Sequence, residues 1–244
     1  MSEKNPARRP DAVTPKRDVR DEVSAFVQKV GLMARPNASE DGRLLFGMDA
    51  TMSRQPTWDM AVSLQAGMFE AIPKDAHLQV QLIYFRGLGE CRASKWATDG
   101  TSLANMMSRI DCRGGHTQIL KVLKHARKEH GRQRINALVY IGDAMEEKID
   151  DLVQAAGELG LRGVPVFLFQ EGNDPAAESA FREIARVTRG GWFRFDRSSA
   201  SVLARLLSSI AVYAAGGLKA LENRGTREDQ LLIAQMSGGK GGKK

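Results

Sequence analysis

Apolar and polar positions fall into blocks whose period switches repeatedly along the chain. Val23, Phe26, Val27 and Val30 recur at i, i+3, i+4 and i+7, which predicts an amphipathic helix near the start. The run RLLFGMD (43–49) is continuously apolar between Arg43 and Asp49 and reads as a buried strand. Trp58, Ala61, Val62, Met68 and Phe69 mark one face of a helix that starts near Pro56 or Thr57, where a missing proline N–H has no partner to lose. HLQVQLIYF (77–85) reads as a strand and CRASKWA (91–97) as a short edge strand. A helix follows in TSLANMMSRI (101–110), capped by Thr101 or Ser102. GGHTQILKVLKHARKEHG (114–131) is a Gly-rich loop opening a helix that Gly131 ends. Next come a buried strand, INALVYIG (135–142), and a helix, MEEKIDDLVQAAGELG (145–160). VPVFLF (164–169) and GWFRF (191–195) are strands, separated by the helix AAESAFREIARVTRG (176–190). SASVLARLLSSIAVYAAG (199–216) is a last helix. No internal repeat is present.

Continuous apolar strands alternating with amphipathic helices define an α/β fold, a doubly wound, mostly parallel, Rossmann-like sheet covered on both faces. The expected organisation is a disordered basic segment over 1–20, the amphipathic helix and a linker over 21–40, the α/β domain over 41–215, and an extension over 216–244 that ends in the flexible tail SGGKGGKK. In such sheets ligands sit beyond the carboxyl ends of the strands. Asp49, Thr51 and Ser53 lie just past the end of the first strand. Asp143 lies just past a strand expected beside the first, and Thr117 at the mouth of a helix. Two carboxylates and three hydroxyls thus reach one rim from three loops, separated along the sequence by about seventy and then about thirty residues.

Hard oxygen donors of this kind suit Mg²⁺ or another hard divalent ion, with Mn²⁺ and Ca²⁺ as the other candidates. Thiolate and imidazole ligands in zinc spacing are missing. Hydroxyls are weak ligands, so such a shell keeps waters and can accept a carboxylate from outside. The D-A-T-M-S run at 49–53, Thr117 behind a Gly-Gly pair and Asp143 at the end of an apolar strand together resemble the metal-ion-dependent adhesion site (MIDAS) of von Willebrand factor A (vWA) domains, intracellular bacterial type. The resemblance covers residues 41–215 and includes the order of strands and helices. It implies that Asp49 and Asp143 act largely through coordinated waters. Thr51 and Ser53 would give direct hydroxyl ligands, and Thr117 would bind directly in the ligand-engaged state. It also implies a non-enzymatic protein–protein interaction module whose partner presents an acidic residue to the metal, such as an adaptor to an ATPase, chaperone or chelatase-type machine. Three residues depart from the family pattern. Thr51 stands where serine is usual, Ala144 follows Asp143 where glycine is common, and Arg54 places a positive charge beside the motif.

Each residue also has a plain structural reading. Asp49 can cap a helix, and Thr51 and Ser53 can be ordinary loop hydroxyls. Thr117 can be the N-cap of its own helix. Asp143, with Glu146 and Glu147, can serve the dipole of the helix that follows them.

Charge changes the picture little. Of the net +7, residues 1–20 and 216–244 each carry +3, so the middle of the chain is nearly neutral. The helix at 121–134 holds six basic residues against one Glu, which keeps an RNA-associated reading open as the alternative to a solvated face. His125 and His130 are poorly placed to share a face, and His116 adjoins Thr117 as a loop histidine. A phosphotransferase of the haloacid dehalogenase type would use Asp49 as nucleophile, but Thr51 stands where the second Asp is needed as general acid. No phosphate loop or G-x-S-x-G elbow is present. Cys91 and Cys112 form no disulfide framework and read as thiols of a reducing compartment. The longest apolar runs, INALVYIG and VPVFLF, are too short to span a membrane, and the N-terminus has no secretory pattern, so a cytoplasmic protein without a membrane partner is expected.

Overall fold

The computed structural model describes residues 41–52, 55–64, 66–196 and 199–237. The predicted N-terminal helix, Ser53 and Arg54 lie outside them. Six strands form one sheet: β1 (Gly42–Asp49), β2 (Leu78–Arg86), β3 (Glu90–Ala97), β4 (Ala137–Gly142), β5 (Val166–Glu171) and β6 (Gly191–Phe195), in the order β3-β2-β1-β4-β5-β6. All pairs are parallel except β2 with β3, the antiparallel edge strand. Every residue of β1 is buried, as its uninterrupted apolar pattern requires of a central strand covered on both faces.

Alternation along β1 feeds two cores. Leu44, Phe46 and Met48 point to one face, where α1 (Gln55–Leu64), α2 (Ala66–Glu70), α3 (Gly100–Met107), α7 (Ala200–Arg224) and α8 (Arg227–Met236) pack. Leu45 points to the other, covered by α4 (Ile119–Arg132), α5 (Ile149–Leu161) and α6 (Pro175–Thr188). Trp58 fills the first core and donates its indole N–H to Met107 O at 3.2 Å, joining α1 to α3. Arg43 is the buried cation of β1. Its guanidinium lies 3.8 Å from the Trp96 ring, donates to Gln133 O at 2.9 Å and sits 3.8 Å from Glu129. Burial lowers its pKa, and Glu129 opposes that shift.

Several helix ends differ from the sequence expectation. α3 is capped by Asp99, which accepts from Ser102 N–H at 2.8 Å, rather than by Thr101 or Ser102. α4 runs through Gly131 and ends at Arg132. α5 starts only at Ile149, so Met145–Lys148 form a loop. The last predicted helix does not stop at Gly216. It kinks at Gly217 (φ 70°), continues to Arg224 and is followed by α8, so much of the extension over 216–244 is helical. The periodic signal weakens there, but a buried polar knot holds the segment. Thr226 and Asp229 make a reciprocal capping box, and Arg224 donates to Asp229 and to Ser209.

Among the described residues, α7 is long and apolar enough to cross a membrane, with a mean hydropathy of 1.5 over its most apolar stretch. Reading short apolar runs missed it. Its Leu203, Leu206, Leu207, Ile210 and Ala214 are buried in the first core, which accounts for its composition. Cys91 and Cys112 are not disulfide-linked, and burial pushes the Cys91 thiol up.

Candidate metal centre

The sheet brings the predicted carboxylates to one rim. β1 and β4 are parallel neighbours in a register that pairs Met48 with Ile141. Asp49 therefore ends β1 at the level where β4 ends in Gly142, with Asp143 immediately beyond. Asp49 is 2% exposed, and its Oδ1 accepts the Thr51 N–H at 2.7 Å, an Asx-type turn that fixes the carboxylate. Thr51 is buried too. The next residue described, Met52, is 66% exposed on the outer surface. Gln55, at the start of α1, accepts from Cys112 N–H, and Ala50 bonds Phe85 O and Arg113 N–H through its backbone, so this loop is tied to both neighbouring loops.

Thr117 is joined to the loop after β4 by a reciprocal pair of bonds. Its N–H donates to Glu146 Oε2 at 3.0 Å, and its Oγ1 accepts the Glu146 N–H at 3.0 Å. His116 Nδ1 lies 3.1 Å from the same Glu146 oxygen. The Thr117 loop also leans on the β2–β3 hairpin, where His116 N–H donates to Gly87 O. A Cβ on Gly115 would lie 2.2 Å from that carbonyl oxygen, so only glycine allows the approach.

The structure corrects two of the plain structural readings. Thr117 is not the N-cap of α4, because the helix starts at Ile119 and the cap position is Gln118, which makes no side-chain capping bond. Glu147 does not serve its own helix α5. It reaches across to α4 and accepts Ile119 N–H at 2.6 Å and Leu120 N–H at 2.9 Å. Position along the chain alone assigns Glu146 and Glu147 to the start of α5. The available signal was that no residue at the mouth of α4 caps it, so its first N–H groups had to find acceptors elsewhere. A further rim contact was not foreseen: the Thr57 hydroxyl, at the start of α1, bonds the Glu171 carboxylate at the end of β5.

The donor set fits a hard cation. Asp49, Thr51 and Thr117 are each under 10% exposed, and all offer oxygen. A hydroxyl oxygen accepts twice, so Thr117 Oγ1 has a second position after the Glu146 N–H. Among the described residues no group of three or more His, Cys, Asp or Glu is placed to hold a metal ion.

No protein-family model matches the sequence, and a comparison with curated proteins finds no match. Solved structures do match. The von Willebrand factor type A protein from Catenulispora acidiphila superposes with a TM-score of 0.55 at 14% identity, over 72% of this chain and 43% of that one. This chain has the von Willebrand factor A fold. The mussel byssus proximal thread matrix protein 1, solved with a zinc-occupied MIDAS motif, gives a TM-score of 0.57 at 15% identity, over 80% of this chain and 52% of that one. An aerotolerance-related membrane protein from Bacteroides fragilis gives 0.54 at 17%, over 69% of this chain and 98% of that one. This chain spans about half the length or less of the first two proteins.

The basic helix α4 carries less free charge than its sequence suggests. Arg127 pairs with Glu158, Arg132 with Glu129, and Lys121 donates to Gly89 O at 2.8 Å. His125 sits 2.9 Å from Gln81 Oε1, with its pKa lowered by burial, and His130 Nδ1 accepts the Ile135 N–H. Both histidines hold the fold.

Proposed function

We propose that Asp49, Thr51, Thr117 and Asp143, joined by Ser53 on the strength of the sequence motif alone, hold one divalent cation and, through it, an acidic residue of a protein partner. The observation that carries this reading is the convergence of three loops. Asp49 ends β1, Asp143 directly follows the end of its parallel neighbour β4, and Thr117 is clasped to Glu146, three residues beyond Asp143. A bound cation would supply a Lewis-acidic centre whose open position takes a carboxylate. The chain's own residues orient the donors: Thr51 N–H fixes Asp49, and Glu146 fixes Thr117. The mussel protein's zinc-occupied MIDAS supports a divalent ion; Mg²⁺ is the candidate for this chain, with Mn²⁺ and Ca²⁺ next.

In this reading the protein is a non-enzymatic interaction module located in the cytoplasm, an adaptor beside an ATPase, chaperone or chelatase-type machine. Met52 at 66% and Leu88 at 88% exposure, on loops next to Asp49 and the Thr117 loop, support a protein-binding face. Thermal unfolding in EDTA, Mg²⁺ and Mn²⁺ tests it, with Asp49→Asn keeping the acceptor for Thr51 N–H while removing the charge. A cation at a hundredfold excess over its Kd stabilises the fold by about 2.7 kcal/mol. The wild type should shift and the variant should not; no shift in the wild type contradicts the reading.

A further inference from the structure

A groove of about 470 Å³ lies at the opposite end of the sheet, where β6 begins. Its walls are the last turns of α6, the Arg189–Gly190 corner, Trp192, and the outer face of α8. The floor is apolar: Ala185, Ala234, Met236 and Leu231, which is 44% exposed. The rim is arginine. Arg182 lies 3.8 Å above the Trp192 ring and Arg194 5.4 Å from it, while Arg186 and Arg189 line the wall. The Trp192 ring is held by its N–H bond to Gln170 Oε1 at 3.1 Å.

Arg189 decides what the groove is for. It is the one non-glycine residue with positive φ (55°) among those described, at the helix-ending position where glycine is usual. A bulky side chain there is held against backbone preference, and such outliers gather at functional sites. Glu178 pairs with Arg182 and Arg194, and Glu183 with Arg186, whereas among the described residues no carboxylate pairs with Arg189. The three lining guanidinia, Arg182, Arg186 and Arg189, with Arg194 beside Trp192, stand against Glu178 and Glu183 and leave a local charge of +2. That charge matches one or two carboxylates and is too small and too interrupted for a phosphate backbone, which wants a continuous positive track. The seven residues after Ser237 carry three lysines and no acidic side chain, so they have the wrong sign to fill it.

We propose that this groove docks an acidic segment of a partner protein, one apolar side chain resting on Leu231, Met236 and Ala185 and its flanking carboxylates meeting Arg189 and Arg186. The groove and the metal rim stand at opposite ends of the parallel strands, so the two surfaces can be engaged together.

Fluorescence anisotropy of the full chain with a short labelled peptide, Asp and Glu around a single Leu, tests the proposal. The peptide should bind with an affinity that falls as salt rises, and a peptide with Lys in place of the acids should not bind. Arg189→Gly removes the guanidinium and relieves the backbone, so it should leave the unfolding midpoint unchanged or higher while weakening the peptide about fivefold. Leu231→Ser should weaken it by a similar factor. EDTA and Asp49→Asn should change nothing, which separates this surface from the metal rim. No binding, or equal binding to Arg189→Gly and Leu231→Ser, overturns the proposal. So does tighter binding of a single-stranded RNA that Arg189→Gly abolishes.

Discussion

Replacing Glu147 with alanine removes two acceptors from the mouth of α4 and tests whether the loop after β4 anchors the loop that carries Thr117. In the wild type the carboxylate accepts Ile119 N–H at 2.6 Å and Leu120 N–H at 2.9 Å. Loss of a neutral N-cap costs about 1 kcal/mol, a charged acceptor is roughly twice as strong, and a negative charge at a helix N-terminus adds about 0.3–1 kcal/mol. Glu147 is only half-buried, so water partly replaces it. The net expectation is a loss of about 2 kcal/mol, or about 4–8 °C in Tm for a chain of this size. Glu147→Gln keeps an acceptor without the charge and should lose about half as much. Urea unfolding at constant m-value gives the energies, and amide exchange gives the location. The amides of Ile119 and Leu120 should exchange faster while the first turn of α5 keeps its protection. A loss under about 0.5 kcal/mol, or deprotection confined to α5, refutes the reasoning.

Three further outcomes follow from the same contacts. Glu146→Ala opens the clasp on Thr117 and should weaken Mn²⁺ about tenfold in a direct titration while unfolding stability changes little, since the side chain is exposed. Gly115→Ala drives a methyl into the Gly87 backbone and should cost about 1–3 kcal/mol in thermal unfolding, with weaker Mn²⁺ binding alongside. Burial resists ionisation of Asp229, yet bonds from Arg224, Ser209 and Thr226 outweigh it and hold its pKa at about 2, below the ordinary 3.8. The folded value lies below the unfolded one, so the stabilisation is present above pH 3.8 and is lost as pH falls toward 2. It is worth on the order of 2 kcal/mol, and Asp229→Asn should flatten the acid limb of a pH–stability curve.

The architecture was legible because its central strands are apolar on both faces and its helices on one. RLLFGMD and INALVYIG needed no further information to be read as central neighbours, and their last residues then fixed where Asp49 and Asp143 sit. Helix ends were less legible, because a cap contributed from a distant loop leaves no local trace. Glu147 belongs to α4 through a contact across 28 residues, and spacing along α5 cannot show it. The end of α7 was misread for a related reason. Gly216 and Gly217 look like a stop, but Leu221 and Leu232 find burial beyond them and the Arg224–Asp229 knot fixes the turn.

Manganese titration followed by electron paramagnetic resonance tests the central claim most directly, because free Mn²⁺ is counted without any partner. The expected result is one ion bound per chain, lost in Asp49→Asn and in Asp143→Asn and weakened in Thr117→Ala, with all three variants folded. Wild-type protein that leaves all of the Mn²⁺ free, or variants that bind as the wild type does, would contradict a metal centre on this rim.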